Sequence, residues 1–248
     1  GWTPDGGRLL VALTACEETG GDYNGLEDLR PQLPDLESAI VGEPTELQPC
    51  IGQKGLLILK LHARGKSVHA ARSERGTNPI YGAARDLRRL ESFAFERDDP
   101  FLGRPSLTPT VIRGGDARNM VPDRCTVTLD IRSTPAYAHE EMTEMIDEAV
   151  EADVEVHSKR LIPTSTEKDA SIVRACLEAL PGTEPFGSPT TSDWIFLNDV
   201  PTVKLGPGPS ERSHTAEERI EIDELARGVA AYKKIARTYF SPSFAESR

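Results

Sequence analysis

Residues 55–65 read "GLLILKLHARG". Toward its end the stretch alternates, with Leu57, Leu59 and Leu61 set against Lys60 and His62. A period of two is the mark of a strand with one face buried and one wet. The segments that follow continue the theme. "NPIYGAARDLRRLE" (78–91) repeats apolar residues at helical spacing, placing Ile80, Ala83, Ala84, Leu87 and Leu90 on one face and Arg85, Arg88 and Arg89 opposite. "TPTVIRGG" and "CTVTLDIRST" read as strands, the second alternating at Val127, Leu129 and Ile131. "AHEEMTEMIDEAV" (138–150) is an amphipathic helix with Met142, Met145, Ile146 and Val150 inward, and "DVEVHSKRL" (153–161) is a closing strand. The order is β-α-β-β-α-β, the ferredoxin-like plan.

The flanks have another texture. "RLLVALTAC" (8–16) and "LESAIVGEP" (36–44) are apolar runs ended by acids, Gly or Pro, as in strands buried on both faces. "DASIVRACLEAL" is helical, "VPTVKLGPG" a short buried strand, and "EIDELARGVAAYKKIARTYF" a long helix. The fold class expected is therefore α/β, a mixed sheet flanked by helices and interrupted by a ferredoxin-like domain. The domains expected are 1–52 and 163–248 around an insertion at 53–162.

Bulk composition narrows the function. The 248 residues carry a net charge of -11, with a pI near 5.0. Such a field repels phosphate and argues against nucleic acid or an anionic membrane as partner. No apolar stretch approaches the length of a spanning helix. The four cysteines have neither CxxC nor disulfide-framework spacing. Cys16 and Cys125 fall in apolar strand-like runs, so buried thiols in a reducing cytoplasm are expected.

Four places hold groups suited to chemistry. "TACEETGG" (14–21) sets Glu17 and Glu18 side by side just past an apolar run. They read either as a solvated turn or as a catalytic base beside a metal ligand. "VGEPTE" (41–46) places Glu43 just past a second run, as a turn acid or a ligand. In "GPGPSERSHTAEE" (206–218), His214 is a metal ligand or part of helix-capping chemistry. "GKSVHAARSERGTNP" carries His69, Arg72 and Arg75, a solvated basic turn or a loop that holds an anion or polarises a carbonyl. Three carboxylates and a His at predicted strand ends suit Zn²⁺ or a similar ion, with a neighbouring carboxylate as proton acceptor. No nucleophile elbow, phosphate loop or dinucleotide fingerprint competes.

"TACEETGG", "VGEPTE", "GKSVHAARSERGTNPI", "RNMVPDRCTVTLDIR", "PTTSDWIF" and "GPGPSERSHTAEE" stand in an order that resembles the co-catalytic zinc aminoacylase and carboxypeptidase family. That family includes acetylornithine and N-acetyl-lysine deacetylases and succinyl-diaminopimelate desuccinylase. The resemblance spans the chain. It implies that Glu17 is the general base and that Glu18 ligates one zinc together with His214. It makes Glu43 a ligand of the other zinc. It implies that His69 reaches the partner protomer's active site and polarises the scissile carbonyl. Asn119 and Arg132 then contact substrate, and Thr191 and Ser192 lie on a loop that closes on it. Two Zn²⁺ per site, with Co²⁺ as a substitute, and a homodimer through the inserted lid complete the expectation.

Within the family, "QKGLLILKLHARG" and "LGPGPSERSHT" look most like acetylornithine and N-acetyl-lysine deacetylases. A desuccinylase, or a carboxypeptidase of the same family, is the alternative, and Arg72 or Arg75 could meet a longer diacid. A non-catalytic dimerisation or binding module is the reading from another class. The family pattern also has a His-x-Asp upstream of the acid pair and a bridging Asp. Only sixteen residues precede Glu17, and none is His. The chain is therefore expected to be an N-terminally truncated piece that binds metal poorly by itself.

Overall fold

The computed structural model describes residues 7–17 and 23–245. They form two compact units, one from Lys54–Pro163 and the other from residues up to Gln53 together with those from Thr164.

In the second of these, the discontinuous unit, helix α1 (Gly25–Leu29) precedes strands β1 (Ala39–Val41) and β2 (Cys50–Gln53). The continuous unit then follows: β3 (Gly55–Arg64), the short β4 (Val68–His69), α2 (Pro79–Glu91), β5 (Ser106–Gly114), the short β6 (Met120–Val121), β7 (Arg124–Ser133), α3 (His139–Ala149) and β8 (Asp153–Leu161). The chain returns through β9 (Thr164–Ser165), α4 (Ser171–Ala179), β10 (Phe186–Ser188), β11 (Thr202–Lys204), α5 (Ile222–Tyr239) and α6 (Pro242–Ala245).

The continuous unit is the ferredoxin-like plan. Its sheet runs β5-β7-β3-β8, with every neighbouring pair antiparallel. Strict alternation in β3 and β7 sends Leu57, Leu59, Leu61, Val127, Leu129 and Ile131 into one core. Met142 and Ile146 of α3 meet them there, each burial worth about 1.5–3 kcal/mol. Helix α2 buries a narrower face than its periodicity suggests. Ala83 and Leu90 are inward, but Ile80 and Ala84 are exposed and Asp86 is buried in their place. Asp86 earns that position by accepting the amides of Glu151 (2.9 Å) and Ala152 (3.0 Å), which closes the turn after α3.

The discontinuous unit has a mixed sheet, β1-β11-β2-β10, with β9 on β2. Strands β1 and β11 are parallel, as are β2 and β10, and β11 is antiparallel to β2. Ile51, Val203 and Leu205 of the sheet pack with Val173 and Cys176 of α4 and Ile235 of α5.

One strand expected from the sequence does not form. Residues 8–16 adopt no regular secondary structure, with Val11 79% and Leu13 95% exposed. A strand exists through hydrogen bonds to a neighbour, and among the described residues no strand pairs with this run. Cys16 is accordingly exposed, not buried. Next to it, the Gly25 amide donates to the Ala15 carbonyl at 2.9 Å.

Candidate active site

Glu43 sits two residues beyond β1, and the "GPG" loop begins two residues beyond β11. Because these strands are parallel neighbours, both loops leave the same end of the sheet, the place where open α/β sheets put ligands. Backbone hydrogen bonds stitch the loops together. The amides of Thr45 and Leu47 donate to the Gly206 carbonyl at 3.1 and 2.9 Å, and Glu46 donates to Gly208 at 2.9 Å. The approach is so close that a Cβ on Gly206 would lie 2.5 Å from the Glu43 carbonyl oxygen, so no other residue fits there.

The chain then turns toward His214. Arg212 donates to both oxygens of Glu224 in α5, at 3.1 and 2.8 Å, and Thr215 Oγ1 returns a bond to the Arg212 carbonyl. The Glu221 amide and Arg212 hold the Glu224 carboxyl below its ordinary pKa. His214 is exposed and left-handed, φ 60°, with its amide donating to Glu218 Oε2 at 3.2 Å. Cys16, the residue before Glu17, is left-handed too, φ 67°. Strained non-glycine backbone of this kind concentrates at functional sites.

Glu17 and Glu43 are half-buried, and a third group ties them electrostatically. Lys204, in the middle sheet position, is 3% exposed. Burial pushes its pKa down, while the Cys50 thiol and the carboxylates of Glu43 and Glu17 pull it up. The motif "PTTSDWIF" is equally well anchored. Ser192 is buried, donates from Oγ to Gln53 Oε1 at 2.7 Å, and accepts the Gln53 amide at its carbonyl. Asp193 is buried and accepts from Asn24 Nδ2 at 2.6 Å. Burial raises its pKa, and hydrogen bonds from Asn24 and Thr14 oppose that. Thr191 stays half-exposed.

The remaining candidates lie in the continuous unit. Strands β4 and β6 pair His69 with Met120, and the Ala70 amide donates to the Asn119 carbonyl at 2.8 Å, so His69 and Asn119 are neighbours. His69 Nδ1 accepts the Ala71 amide at 3.1 Å, which assigns the ring proton to Nε2. Both residues are exposed. Arg132 stands apart from the expectation of an open carboxylate receptor, because its fork already grips Asp130 at 2.8 and 3.1 Å. The two share a strand face at i, i+2 spacing, which brings opposite charges together.

Glu18 lies outside the described residues. Among the described residues no three His, Cys, Asp or Glu side chains gather closely enough to hold a metal ion. A catalytic zinc ordinarily takes three protein ligands and a water, so these residues alone do not form a metal centre. Sequence reading missed Lys204, Asp193, Asn24 and Gln53. The signal for Lys204 was a charge inside an otherwise apolar strand, "PTVKL".

Residues 51–157 match the peptidase dimerisation domain of the M20 family. Over 240 residues the chain is 32% identical to an acetylornithine deacetylase of Myxococcus xanthus, covering 88% of this chain and 62% of that protein. It is 29% identical to a succinyl-diaminopimelate desuccinylase of Roseobacter denitrificans, covering 96% and 68%. The chain thus spans less than two thirds of the Myxococcus relative. Among solved structures, a tripeptidase of Staphylococcus aureus superposes with a TM-score of 0.70 at 20% identity, over 87% of this chain and 60% of that one. An M20 metallo-carboxypeptidase of Sulfolobus solfataricus gives 0.62 at 16%, over 87% and 66%. The fold, the domain match and the two deacylase relatives agree, and the chain is similar to the M20 peptidase family.

Proposed function

We propose that the protein is an amidohydrolase that removes an acyl group from the amine of an N-acyl amino acid, N-acetylornithine or N-acetyl-lysine, in arginine or lysine biosynthesis. The observation that carries this is the convergence of acids at one sheet end. Glu43 and the loop toward His214 leave neighbouring parallel strands, and Glu43 and Glu17 act on the same buried Lys204.

Glu17 takes the proton of the attacking water as oxygen adds to the acyl carbon. It then hands that proton to the nitrogen as the C–N bond breaks, releasing a carboxylate and a free amine. Thr191 and Ser192 close on substrate, and Asn119 contacts it. His69, with Nε2–H exposed, is suited to donate to a carbonyl oxygen, and its assigned place is the partner protomer's site. Arg132 acts on a substrate carboxylate only where Asp130 yields its fork. Glu18, Glu43 and His214 are the donors that would hold zinc by the family resemblance, and the metal would supply a Lewis acid for the acyl oxygen. A homodimer through the matched dimerisation domain, in a cytoplasm that keeps its buried thiols reduced, completes the reading.

Desuccinylation has equal support, from the Roseobacter relative. A panel of N-acetylornithine, N-acetyl-lysine and N-succinyl-diaminopimelate, offered to the full-length protein, decides. A higher kcat/KM on an acetylated substrate supports the proposal, and a higher value on the succinylated one replaces it with the alternative.

A further inference from the structure

Lys204 is a costly residue to bury. It lies on β11 with β1 and β2 on either side, between Val203 and Leu205, which have no exposed surface. A Met or Leu there would avoid desolvating an ammonium. The reason for keeping the charge lies in what it holds. Nζ donates to Ser188 Oγ at 2.9 Å, to the Thr190 carbonyl at 3.1 Å and to Thr190 Oγ1 at 3.2 Å. These acceptors belong to one short stretch leaving β10. Ser188 and Thr190 also bond each other through their hydroxyls at 2.9 Å, and the Thr190 amide donates to Ser188 Oγ at 3.2 Å, which closes a tight turn around the ammonium.

We infer that Lys204 is a positioning residue. Its ammonium sets the shape of residues 188–190 and so delivers Thr191 and Ser192 to substrate. Gln53 fixes the far side of this short segment through Ser192, and Asn24 fixes it through Asp193. Lys204 therefore controls the near end of a segment whose other end is already pinned. Charge-assisted bonds to hydroxyl and carbonyl oxygens are stronger than neutral ones. That substrate meets Thr191 and Ser192 rests on the function proposed above.

The test uses Lys204→Met in the full-length protein, with two independent readouts. Amide hydrogen exchange is expected to rise about tenfold or more at residues 190–193, the loss of at least one charge-assisted bond, while Lys54–Pro163 is unchanged. KM for the preferred N-acyl amino acid is expected to rise about tenfold with kcat within about threefold. Thr190→Val removes one acceptor at an exposed position and is expected to move both readouts the same way, less than additively with Lys204→Met. Should Lys204→Met loosen the whole chain, Thr190→Val decides alone. Unchanged exchange at 190–193 overturns the inference, and so does faster exchange with an unchanged KM. A wild-type protein inactive on every N-acyl amino acid refutes the functional reading instead, and exchange still judges the anchoring.

Discussion

Asn24 Nδ2 donates to Asp193 Oδ1 across 2.6 Å, joining positions 169 apart in the chain. The other end of the same amide caps α1, Oδ1 accepting from the Leu26 and Glu27 amides at 2.8 and 3.1 Å. Asn24→Ala therefore breaks a cap and strips a donor from a buried carboxylate. A loss of roughly 1–3 kcal/mol in unfolding free energy is expected. Asn24→Asp separates the two effects, since it keeps the cap but sets a carboxylate against Asp193. The folded pKa of Asp193 is already raised, so its ionised form is disfavoured in the fold and stability is regained as pH falls through that value. The second acid enlarges this effect. Thermal unfolding against pH should show Asn24→Asp weaker than wild type at neutral pH and converging on it under acid.

The contrast between the two units explains what could be read in advance. Strands β3 and β7 announce themselves because each has a full alternating period and its partner lies within the same unit. Residues 8–16 carry an equally apolar pattern, yet pattern alone cannot supply a hydrogen-bonding neighbour. Lys204 stands in the sequence as a lone charge within "VPTVKLGPG", a strand expected to be buried. Its burial depends on strands far away in sequence and on the 188–190 turn, which no local window contains. The Asp130–Arg132 pair was not read from the sequence, and it makes Arg132 a weaker receptor for substrate than the residue type suggests.

Asp86 is the buried polar anchor of the continuous unit, 1% exposed. Besides the two amides after α3 it accepts Arg89 Nη1 at 3.2 Å. Asp86→Ala leaves two part-buried donors without this acceptor and should cost about 1–3 kcal/mol. Asp86→Asn keeps one acceptor and should cost less. Chemical denaturation of the three proteins gives the order, and an Ala variant as stable as wild type removes Asp86 from this role.

His139 makes the same unit sensitive to acid. Its Nε2 lies 2.7 Å from Ser133 Oγ and its Nδ1 3.1 Å from the Lys159 carbonyl, the pattern of a neutral ring with the proton on Nδ1. Burial pushes its pKa below the ordinary 6.5, while Glu140 and Lys159 act in opposite senses. A folded pKa below the unfolded one means stability is full above 6.5 and is lost as pH falls below it. Thermal unfolding between about pH 7.5 and pH 5.5 should fall more steeply for wild type than for His139→Gln. Equal slopes remove His139 as the source.

The thiols divide sharply. Cys50 and Cys125 have raised pKa values because of burial, and burial pushes Cys176 up to about 12. Cys16 is exposed. A disulfide reagent should therefore titrate one rapid equivalent in this native chain and all four cysteines once it is unfolded. Two or more rapid equivalents would contradict the packing around β2, β7 or α4.

Glu17 carries the sharpest prediction for catalysis. Glu17→Gln keeps the shape of the side chain but cannot accept a proton from water. As the general base, it should lower kcat by about 10²–10⁴ and leave KM within a few-fold. Because Glu17 is half-exposed, stability should shift by no more than about 0.5 kcal/mol. A turn acid behaves differently, since its loss leaves both stability and kcat alone. The reading of this chain as a binding module predicts the same silence. A full-length Glu17→Gln protein that turns over N-acyl amino acids at the wild-type rate would return "TACEETGG" to an ordinary solvated turn. A large loss in kcat at unchanged melting temperature separates proton transfer from folding, because the variant keeps the size and shape of the side chain.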